Sequence, residues 1–258
     1  MRPESPRQAV SYAKRFRAPY MAGGTWLQPV WERDRCWPGR LVMLNPGWPG
    51  FRGVDENSEG LTVGALTTLD ELARHPLTDQ YLPSLKGLMN HVAGPGVRHL
   101  GTVGGNLLAG GDLLATALAL DATVDLVGGK GVNSESLAEW IREPSAGDLL
   151  RSVTVPDCRD WPFAVEKLGH RERFSPTRAT VACGHDGRQV RLAVCGEGGA
   201  GRLVVTEAML RDQGVPGLKD LATVADSELQ ALGWRDARLR LAVRRILSFL
   251  LEEVNRGV

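Results

Sequence analysis

Residues 96–122, GVRHLGTVGGNLLAGGDLLATALALDA, hold six glycines between two segments whose apolar residues indicate ordered structure. One group of three glycines surrounds Thr102 and ends at Asn106, and a second pair precedes Asp112. Glycine adopts backbone angles that other residues avoid, and it lets the backbone approach a neighbouring group closely. The stretch therefore predicts either tight turns or a place where the backbone contacts a ligand.

A second glycine motif, Ala22-Gly23-Gly24-Thr25, is comparable with Thr102-Val103-Gly104-Gly105-Asn106. Each motif follows an ordered segment and combines a glycine pair with a hydroxyl or amide side chain. Backbone N–H groups that converge at such a pair can bind an anion, especially a phosphate. Two such loops on facing elements would suit the pyrophosphate of a dinucleotide, whereas either motif alone is also typical of a plain turn. The Gly-x-Gly-x-x-Gly fingerprint is absent, so a dinucleotide site here would be of another type.

The composition is that of an ordinary soluble globular protein. The chain has 258 residues, 43% of them apolar and 24% charged, with a net charge of +1. This balance suggests neither nucleic acid nor a membrane surface as a partner. The first 16 residues lack the apolar region of a secretory signal, and the sequence lacks an apolar run of about 20 residues that could span a bilayer. The sequence thus predicts a cytoplasmic protein.

The cysteines give no metal-binding pattern. They stand at positions 36, 158, 183 and 195, without a Cys-x-x-Cys pair or a histidine at finger-like spacing. We therefore expect reduced thiols and neither a zinc site nor an iron–sulfur cluster in this chain. Nucleophile-elbow, His-Glu-x-x-His and Walker A patterns are also absent from the sequence.

Helical and strand patterns alternate along the chain, which predicts an α+β fold with a boundary near Pro156. Ser5 and Pro6 predict the start of a helix, Thr68 and Glu71 form a capping box, and residues 134–144 have a helical pattern. Residues 20–22, 41–44, 61–65, 122–129 and 148–156 are predicted strands, the last of them punctuated by Pro156. Two further strands are predicted to join in a hairpin through Asp186-Gly187.

The last helix has a clear apolar face. Its apolar positions are Leu239, Val243, Leu247, Leu250 and Val254. Arginines 238, 240, 244 and 245 lie elsewhere on that helix and form either a solvated face or a docking surface for a partner.

Six segments, taken in order, carry a family resemblance. They are AGGT, LTVGALTTLDELARHP, VAGPGVRHLGTVGGN, an acid opening an apolar helix, EPSAGDLLRSVTVP and EKLGHRERF. In this order they resemble the FAD-binding medium subunit of the xanthine dehydrogenase and carbon monoxide dehydrogenase family of molybdenum hydroxylases, nearly end to end. The resemblance implies an FAD-binding domain of the PCMH and CO-dehydrogenase flavoprotein type over residues 1–155, with subdomains at about 1–52 and 53–155. A C-terminal α+β domain with a small, three-stranded antiparallel sheet would follow over 156–258.

The resemblance also implies which residues contact FAD. Asp112 matches an acid that hydrogen-bonds on the adenosine side, Leu150 an apolar neighbour of the cofactor, and Lys167 a lysine near the flavin. Without the resemblance, Lys167 would be interpreted as a surface charge. Neither catalytic nor metal-binding residues are implied in this chain. The implied cofactor-binding residues are Tyr20, Ala22, Gly23, Gly24, Thr25, Trp26, Leu27, Thr102, Gly104, Gly105, Asn106, Asp112, Leu150 and Lys167.

The implied activity is electron transfer within a heteromeric oxidoreductase complex. A large subunit with the molybdenum cofactor would oxidise the organic substrate, and a small subunit with [2Fe–2S] clusters would pass the electrons on. FAD in this chain would receive them and deliver them to NAD⁺, oxygen or another acceptor. The protein would position and tune the flavin, since the redox chemistry belongs to the cofactor.

Two departures from the family pattern leave alternatives open. The segment 107–111 is shorter than in the family. Trp26 replaces a smaller or polar residue, and its ring would fill the core, pack on the flavin or occlude it. One alternative is therefore a degenerate member that lacks FAD and acts as an assembly or scaffold subunit. Another is a stand-alone flavoenzyme similar to the reductases of cell-wall precursors.

Overall fold

The structure, a computed structural model, forms two compact units. It describes residues 1–143, 147–171, 175–213 and 218–256, so that parts of the motifs EPSAGDLLRSVTVP and EKLGHRERF lie outside the described residues. Unit 1 comprises Met1–Leu77, Gly94–Ala109 and Ala122–Pro156. Unit 2 comprises Thr78–Ala93, Gly110–Asp121 and Asp157–Val258.

Helices and strands are interspersed along the chain, as the predicted α+β class requires. The helices are α1 (Pro6–Phe16), α2 (Leu27–Asp34), α3 (Leu69–Arg74), α4 (Pro76–Tyr81), α5 (Pro83–Met89), α6 (Pro95–Leu100), α7 (Val103–Leu108), α8 (Asp112–Ala119), α9 (Leu137–Trp140), α10 (Val204–Gln213), α11 (Leu218–Ala231) and α12 (Ala237–Arg256). The strands are β1 (Tyr20–Met21), β2 (Val42–Met43), β3 (Val54–Asn57), β4 (Gly60–Gly64), β5 (Thr123–Gly128), β6 (Gly131–Ser136), β7 (Leu149–Val155), β8 (Phe163–Gly169), β9 (Thr177–His185), β10 (Val190–Gly196) and β11 (Gly199–Arg202).

Unit 1 contains two sheets. The larger is antiparallel with strand order β3-β4-β7-β5-β6, and the smaller is the parallel pair β1-β2. Helix α1 buries Ala9, Val10 and Ala13 in a core that includes Val42 and Phe51. This packing places the end of β1, and with it the first glycine motif, at the edge of the unit's core.

The predicted starts of α1 and α3 are confirmed. The Ser5 side chain accepts the N–H of Gln8 at 3.2 Å, and Pro6 occupies the first turn. At α3 both halves of the capping box are present, because Thr68 and Glu71 each accept the other's backbone N–H. These bonds satisfy N–H groups that the first helical turn leaves without an acceptor.

The predicted helix over 134–144 is wrong in its first part. Residues 134–136 belong to β6, which pairs with β5 from Gly128↔Gly131 to Thr123↔Ser136. The turn places Gly131 at φ 135°, a left-handed angle that favours glycine. Pairing with an adjacent strand therefore overrides the local helical pattern, and within the described part of this segment, residues 134–143, only Leu137–Trp140 is helical.

Unit 2 is built around an antiparallel sheet with strand order β11-β10-β9-β8. The sheet has four strands, whereas the family resemblance implies three, and the additional strand is the short β11. Val181 and Val194 face a core formed with α10, α11 and α12, whereas Thr180 faces α8 on the other side of the sheet. The predicted hairpin through Asp186-Gly187 is confirmed, with Gly187 at φ 82°.

Helix α12 has the predicted buried face. Of the four arginines named from the sequence, Arg240 and Arg244 are not on a solvated face but form ion pairs with Asp226 at 3.1 and 3.4 Å. Arg238 and Arg245 are exposed, as expected. The buried positions include Leu239, Val243, Leu247, Leu250 and Val254.

The domain division at 155/156 stays a prediction. One boundary between the compact units lies directly after Pro156, within one residue of the predicted division. Unit 2, however, also takes residues 78–93 and 110–121 from the N-terminal part of the chain.

Candidate functional site

The first glycine motif connects β1 to α2 and lies directly against the end of α6. A Cβ atom at position 23 would lie 1.7 Å from the carbonyl oxygen of Leu100, so only glycine fits there. A Cβ atom at Gly101 would lie 3.3 Å from Oγ1 of Thr25. The two glycine motifs are therefore adjacent in unit 1, although the sequence separates them widely.

The backbone N–H groups of the first motif are available to a ligand. Within the described residues, the N–H groups of Gly23, Gly24 and Thr25 have no hydrogen-bond acceptor. Gly24 has φ 70°, and the motif leads into α2, which spans Leu27–Asp34. Consecutive free N–H groups in a glycine-rich turn favour a negatively charged group, because each N–H carries partial positive charge.

The second motif begins a helix, where we expected a loop. Thr102 caps α7 by accepting the N–H of Gly105 at 3.1 Å. Neither Gly104 nor Gly105 has a left-handed φ. Glycine at 104 is explained by close approach, since a Cβ atom there would lie 2.8 Å from the Cβ atom of Ala65.

The backbone N–H groups of this second motif do not converge on an open site. The interpretation that they are available to bind an anion is therefore wrong. Its four consecutive N–H groups all have acceptors within unit 1. The acceptors are Thr67 O for Val103, Ala65 O for Gly104, Thr102 Oγ1 for Gly105 and Thr102 O for Asn106. The cofactor-binding role of Thr102, Gly104, Gly105 and Asn106 stays a prediction. Gly105 and Asn106 are accessible to solvent, whereas Thr102 and Gly104 are buried.

Aromatic residues flank the first motif. The hydroxyl of Tyr20 donates to the carbonyl oxygen of Gly147 at 2.8 Å. Burial, and then the charge of Asp148, raises the pKa of Tyr20 to about 12. Trp26 is 58% exposed, so the interpretation that it fills the core is wrong, and its ring is accessible to a ligand or partner.

The remaining predicted residues of unit 1 differ in burial. Leu150 is buried in β7, opposite Leu126 of β5, and belongs to the packed interior of the sheet. Ala22 and Leu27 are half-buried. Ala22 packs against the core beneath α1, whereas Leu27 is the first residue of α2.

In unit 2 the structure brings Asp112 and Lys167 together. Nζ of Lys167 lies 2.9 Å from Oδ2 of Asp112 and 3.1 Å from the carbonyl oxygen of His91. The two side chains are 5% and 6% exposed, respectively, so the interpretation of Lys167 as a surface charge is wrong.

Sequence reasoning missed two further members of this cluster, Thr177 and Thr180. Their hydroxyls donate to Oδ1 of Asp112 at 2.6 and 2.8 Å. A threonine in a strand carries no signal of such a role. Only the register that places Thr180 directly opposite Lys167 reveals it.

The shortened segment 107–111 forms a compact connection. Helix α7 ends at Leu108, and α8 begins at Asp112. Gly110 has φ 65°, and its carbonyl oxygen accepts a hydrogen bond from Sγ of Cys195 at 3.0 Å. Burial, and then the charge of Asp112, raises the pKa of that thiol to about 12.

The described residues contain neither a membrane-spanning helix nor a cluster of metal-ligating side chains. Within them, we find no helix long and apolar enough to cross a lipid bilayer. The same part of the chain shows no group of three or more histidine, cysteine, aspartate or glutamate side chains placed to hold a metal ion.

Known proteins similar to this chain include several oxidoreductase subunits. The carbon monoxide dehydrogenase medium chain of Hydrogenophaga pseudoflava is 31% identical over 192 residues, which is 70% of this chain and 66% of the relative. A putative xanthine dehydrogenase FAD-binding subunit of Escherichia coli K12 is 33% identical over 122 residues, 45% of this chain and 41% of the relative. The chain thus matches less than two thirds of the length of these curated relatives.

A solved structure shares the fold over the whole chain. A chain of reconstituted CO dehydrogenase from Oligotropha carboxidovorans superposes with a TM-score of 0.85 at 20% identity, covering 100% of this chain and 97% of its own. Residues 1–158 match the family model described as the FAD binding domain in molybdopterin dehydrogenase. That match covers both glycine motifs and more than half of the sequence. The chain is therefore a member of this FAD-binding family of the molybdopterin dehydrogenases.

Proposed function

We propose that this chain is the FAD-carrying electron-transfer subunit of a molybdenum hydroxylase complex. Family membership, a fold similar to that of a CO dehydrogenase chain, and relatives named as a medium chain and an FAD-binding subunit support the proposal. In this proposal a large subunit carries the molybdenum cofactor and a small subunit carries [2Fe–2S] clusters.

One observation carries the assignment of FAD to this chain. The free N–H groups of Gly23, Gly24 and Thr25 lie in the turn that precedes α2, beside the end of α6. A pyrophosphate has the negative charge and the acceptor oxygens that such a group of donors requires. The residues of this motif therefore fit the pyrophosphate of FAD.

The other predicted residues have secondary roles in this proposal. Asn106 and Gly105 offer accessible atoms at the second motif, and the exposed ring of Trp26 offers an apolar surface. When bound, FAD supplies the redox chemistry and passes electrons between the clusters and an acceptor such as NAD⁺ or oxygen. The protein's own groups hold the cofactor and set its electrostatic surroundings.

A second candidate function is a scaffold subunit that has lost FAD. The observation in its favour is the second motif, where the chain itself occupies the four N–H groups from Val103 to Asn106. A chain that binds no cofactor would still need these bonds to pack α7 against the neighbouring strand.

Flavin analysis of the purified protein distinguishes the two functions. The electron-transfer subunit should be yellow, and denaturation should release close to one FAD per chain. Colourless protein that stays colourless after incubation with FAD would favour the scaffold. Co-purification of the complex from its natural source, with molybdenum, iron and flavin measured on the same sample, tests the proposed partners.

A further inference from the structure

The segment of unit 1 that follows the first glycine motif is uncovered along its whole length. Helix α2 contains no buried residue, and no side chain in residues 26–40 is buried. Three of the chain's seven tryptophans nevertheless lie in this segment, at positions 26, 31 and 37. Trp37 is 58% exposed, and its ring centre lies 6.0 Å from that of Trp31. Contiguous exposed apolar surface of this kind is typical of a face that binds another molecule.

The same part of the chain is strongly basic. Residues 1–40 contain eight basic and three acidic residues, a net charge of +5. The remaining 218 residues contain 23 basic and 27 acidic residues, a net charge of −4. All eight basic side chains of residues 1–40 are exposed, and two of them form ion pairs, Lys14 with Asp148 and Arg33 with Asp34. Within the described residues the other six lack an acidic partner; they are Arg2, Arg7, Arg15, Arg17, Arg35 and Arg40.

The apolar surface and the positive charge meet at Phe16. The guanidinium groups of Arg15 and Arg40 lie 5.2 and 4.6 Å from the centre of its ring. Arg40 follows Trp37 by three residues, so the stacked tryptophans continue into this charged surface. Two like charges at one ring repel each other, and an anionic group beside them would remove that repulsion. We call the surface formed by Arg15, Phe16, Trp31, Trp37 and Arg40 the α1–α2 face.

The residue types of this region favour a protein as the occupant of the α1–α2 face. Residues 1–40 contain seven arginines and one lysine. Arginine and tryptophan are enriched in protein–protein interfaces, whereas lysine is depleted there. Surfaces that bind the phosphates of nucleic acids or lipids through charge use lysine as well as arginine. The charge of the face requires that the surface of the bound protein be acidic.

We propose that the α1–α2 face docks an acidic surface of another subunit of the complex. Carboxylates of the partner subunit pair with Arg15 and Arg40, and an apolar side chain of the partner subunit covers Trp37. The inference rests on the proposed function, which supplies the partner subunits. Relatives named as a medium chain and as an FAD-binding subunit support a subunit as the bound protein.

Charge reversal in the intact complex tests this docking. The tagged chain is co-expressed with the large and small subunits of its own complex, and molybdenum, iron and flavin are measured on the purified sample. Mass photometry over a dilution series gives the dissociation constant. We expect Arg15→Glu with Arg40→Glu to weaken assembly by at least about 10-fold, because an interface centre of this kind carries much of the binding energy. Iron or molybdenum should fall relative to flavin, while flavin per chain stays constant.

Charge-retaining variants and salt test the acidic character of the partner subunit. Arg15→Lys with Arg40→Lys should assemble within about threefold of the wild-type protein, because the charge is retained. Raising salt from about 0.1 M to about 1 M shortens the screening length from about 10 Å to about 3 Å and should weaken the wild-type complex. Assembly that is insensitive to salt, or unchanged in the charge-reversed variant, would overturn the inference.

Arg188→Glu with Arg235→Glu is the matched control. Both arginines are exposed in unit 2, and their reversal changes the net charge by the same amount. This variant should assemble normally, and an equal loss of assembly in both double variants would refute a specific face.

Other occupants of the α1–α2 face give different results. The charge-reversed variant could assemble normally but lose self-association of the isolated chain, binding to phosphatidylcholine–phosphatidylglycerol vesicles, or binding to single-stranded DNA. Each of these results would overturn the inference by assigning the face to a second copy, a lipid surface or a nucleic acid. A wild-type complex that lacks flavin, iron and molybdenum would refute the proposed function instead.

Discussion

The carbonyl oxygen of Leu100 occupies the space that a side chain at Gly23 would need, with a Cβ-to-oxygen distance of 1.7 Å. The contact joins the end of α6 to the loop between β1 and α2, so it fixes the position of the three free N–H groups. The glycine is therefore required by a close backbone approach, a reason distinct from the left-handed angle of Gly24.

Gly23→Ala should lose FAD and lower the free energy of unfolding. The added methyl group forces the loop away from Leu100, and overpacking of this kind costs about 1–3 kcal/mol. Urea denaturation and released FAD per chain measure the two effects. Gly96→Ala is the control, because within the described residues nothing lies within 4 Å of a Cβ atom there. Normal FAD content in Gly23→Ala would refute the assigned loop.

Trp26→Ala should leave the free energy of unfolding unchanged within about 0.5 kcal/mol. The ring is 58% exposed, and exposed side chains contribute little to stability. Trp234, which is 1% exposed, provides the contrast: Trp234→Ala should destabilise the protein by about 3–5 kcal/mol. A large stability loss in Trp26→Ala would show that the ring is packed after all.

Only one thiol should react quickly with a disulfide reagent in the native protein. Cys36 is exposed, whereas Cys158, Cys183 and Cys195 are buried. Burial raises the pKa of each buried thiol to about 12, and thiolates are the reactive form. Cys36→Ser should abolish the fast reaction, and denaturant should expose all remaining thiols. Fast reaction of a second native thiol would contradict the buried placement.

Stability should decline in alkaline solution. The three buried thiols have a pKa of about 12 in the folded chain against a usual value of 9.0, so between these limits the unfolded chain loses protons that the folded chain keeps. The unfolded chain thus binds fewer protons, and each thiol lowers the free energy of unfolding by up to about 1.4 kcal/mol per pH unit. Urea denaturation at pH 8 and pH 10 measures the fall. A constant value over this range would disprove the raised pKa values.

Arg202→Met should be strongly destabilising. Arg202 pairs with Glu207 at 2.5 Å and with Asp121 at 2.7 Å, and the Glu207 side chain is only 6% exposed. Removing one partner leaves a buried charge without compensation, which typically costs about 3–5 kcal/mol. Arg256→Met is the control, since Arg256 is 71% exposed and such surface pairs contribute about 0–1 kcal/mol. Similar effects in both variants would argue against a buried network.

Elements with a strong repeating pattern could be predicted from the sequence. Helix α12 repeats its apolar positions over about four turns, and its buried face is confirmed. The Asp186-Gly187 turn allowed the hairpin to be predicted, because the left-handed angle at Gly187 is one that glycine favours. Both glycine motifs could be identified from the sequence, and the contact of Gly23 with Leu100 places the first motif beside the end of α6, which directly precedes the second.

Features that depend on distant partners could not be predicted. The second motif forms a helix despite its two glycines, because bonds to Ala65 and Thr67 hold its backbone. Residues 134–136 became a strand because β5 lies beside them. The roles of Thr177 and Thr180 required the strand register, which the sequence of one strand does not contain.

The chain crosses between the two compact units five times, at 77/78, 93/94, 109/110, 121/122 and 156/157. A fragment ending at Pro156 would therefore retain α8, all eight residues of which are buried, without the strands β9 and β10 that cover it. Such a fragment should expose apolar surface and aggregate, even though it includes nearly all of the family match. The part of the chain that matches the family model is consequently not an exchangeable module. A chimaera of two relatives joined at position 156 should fold only if residues 78–93 and 110–121 come from the same relative as the C-terminal part.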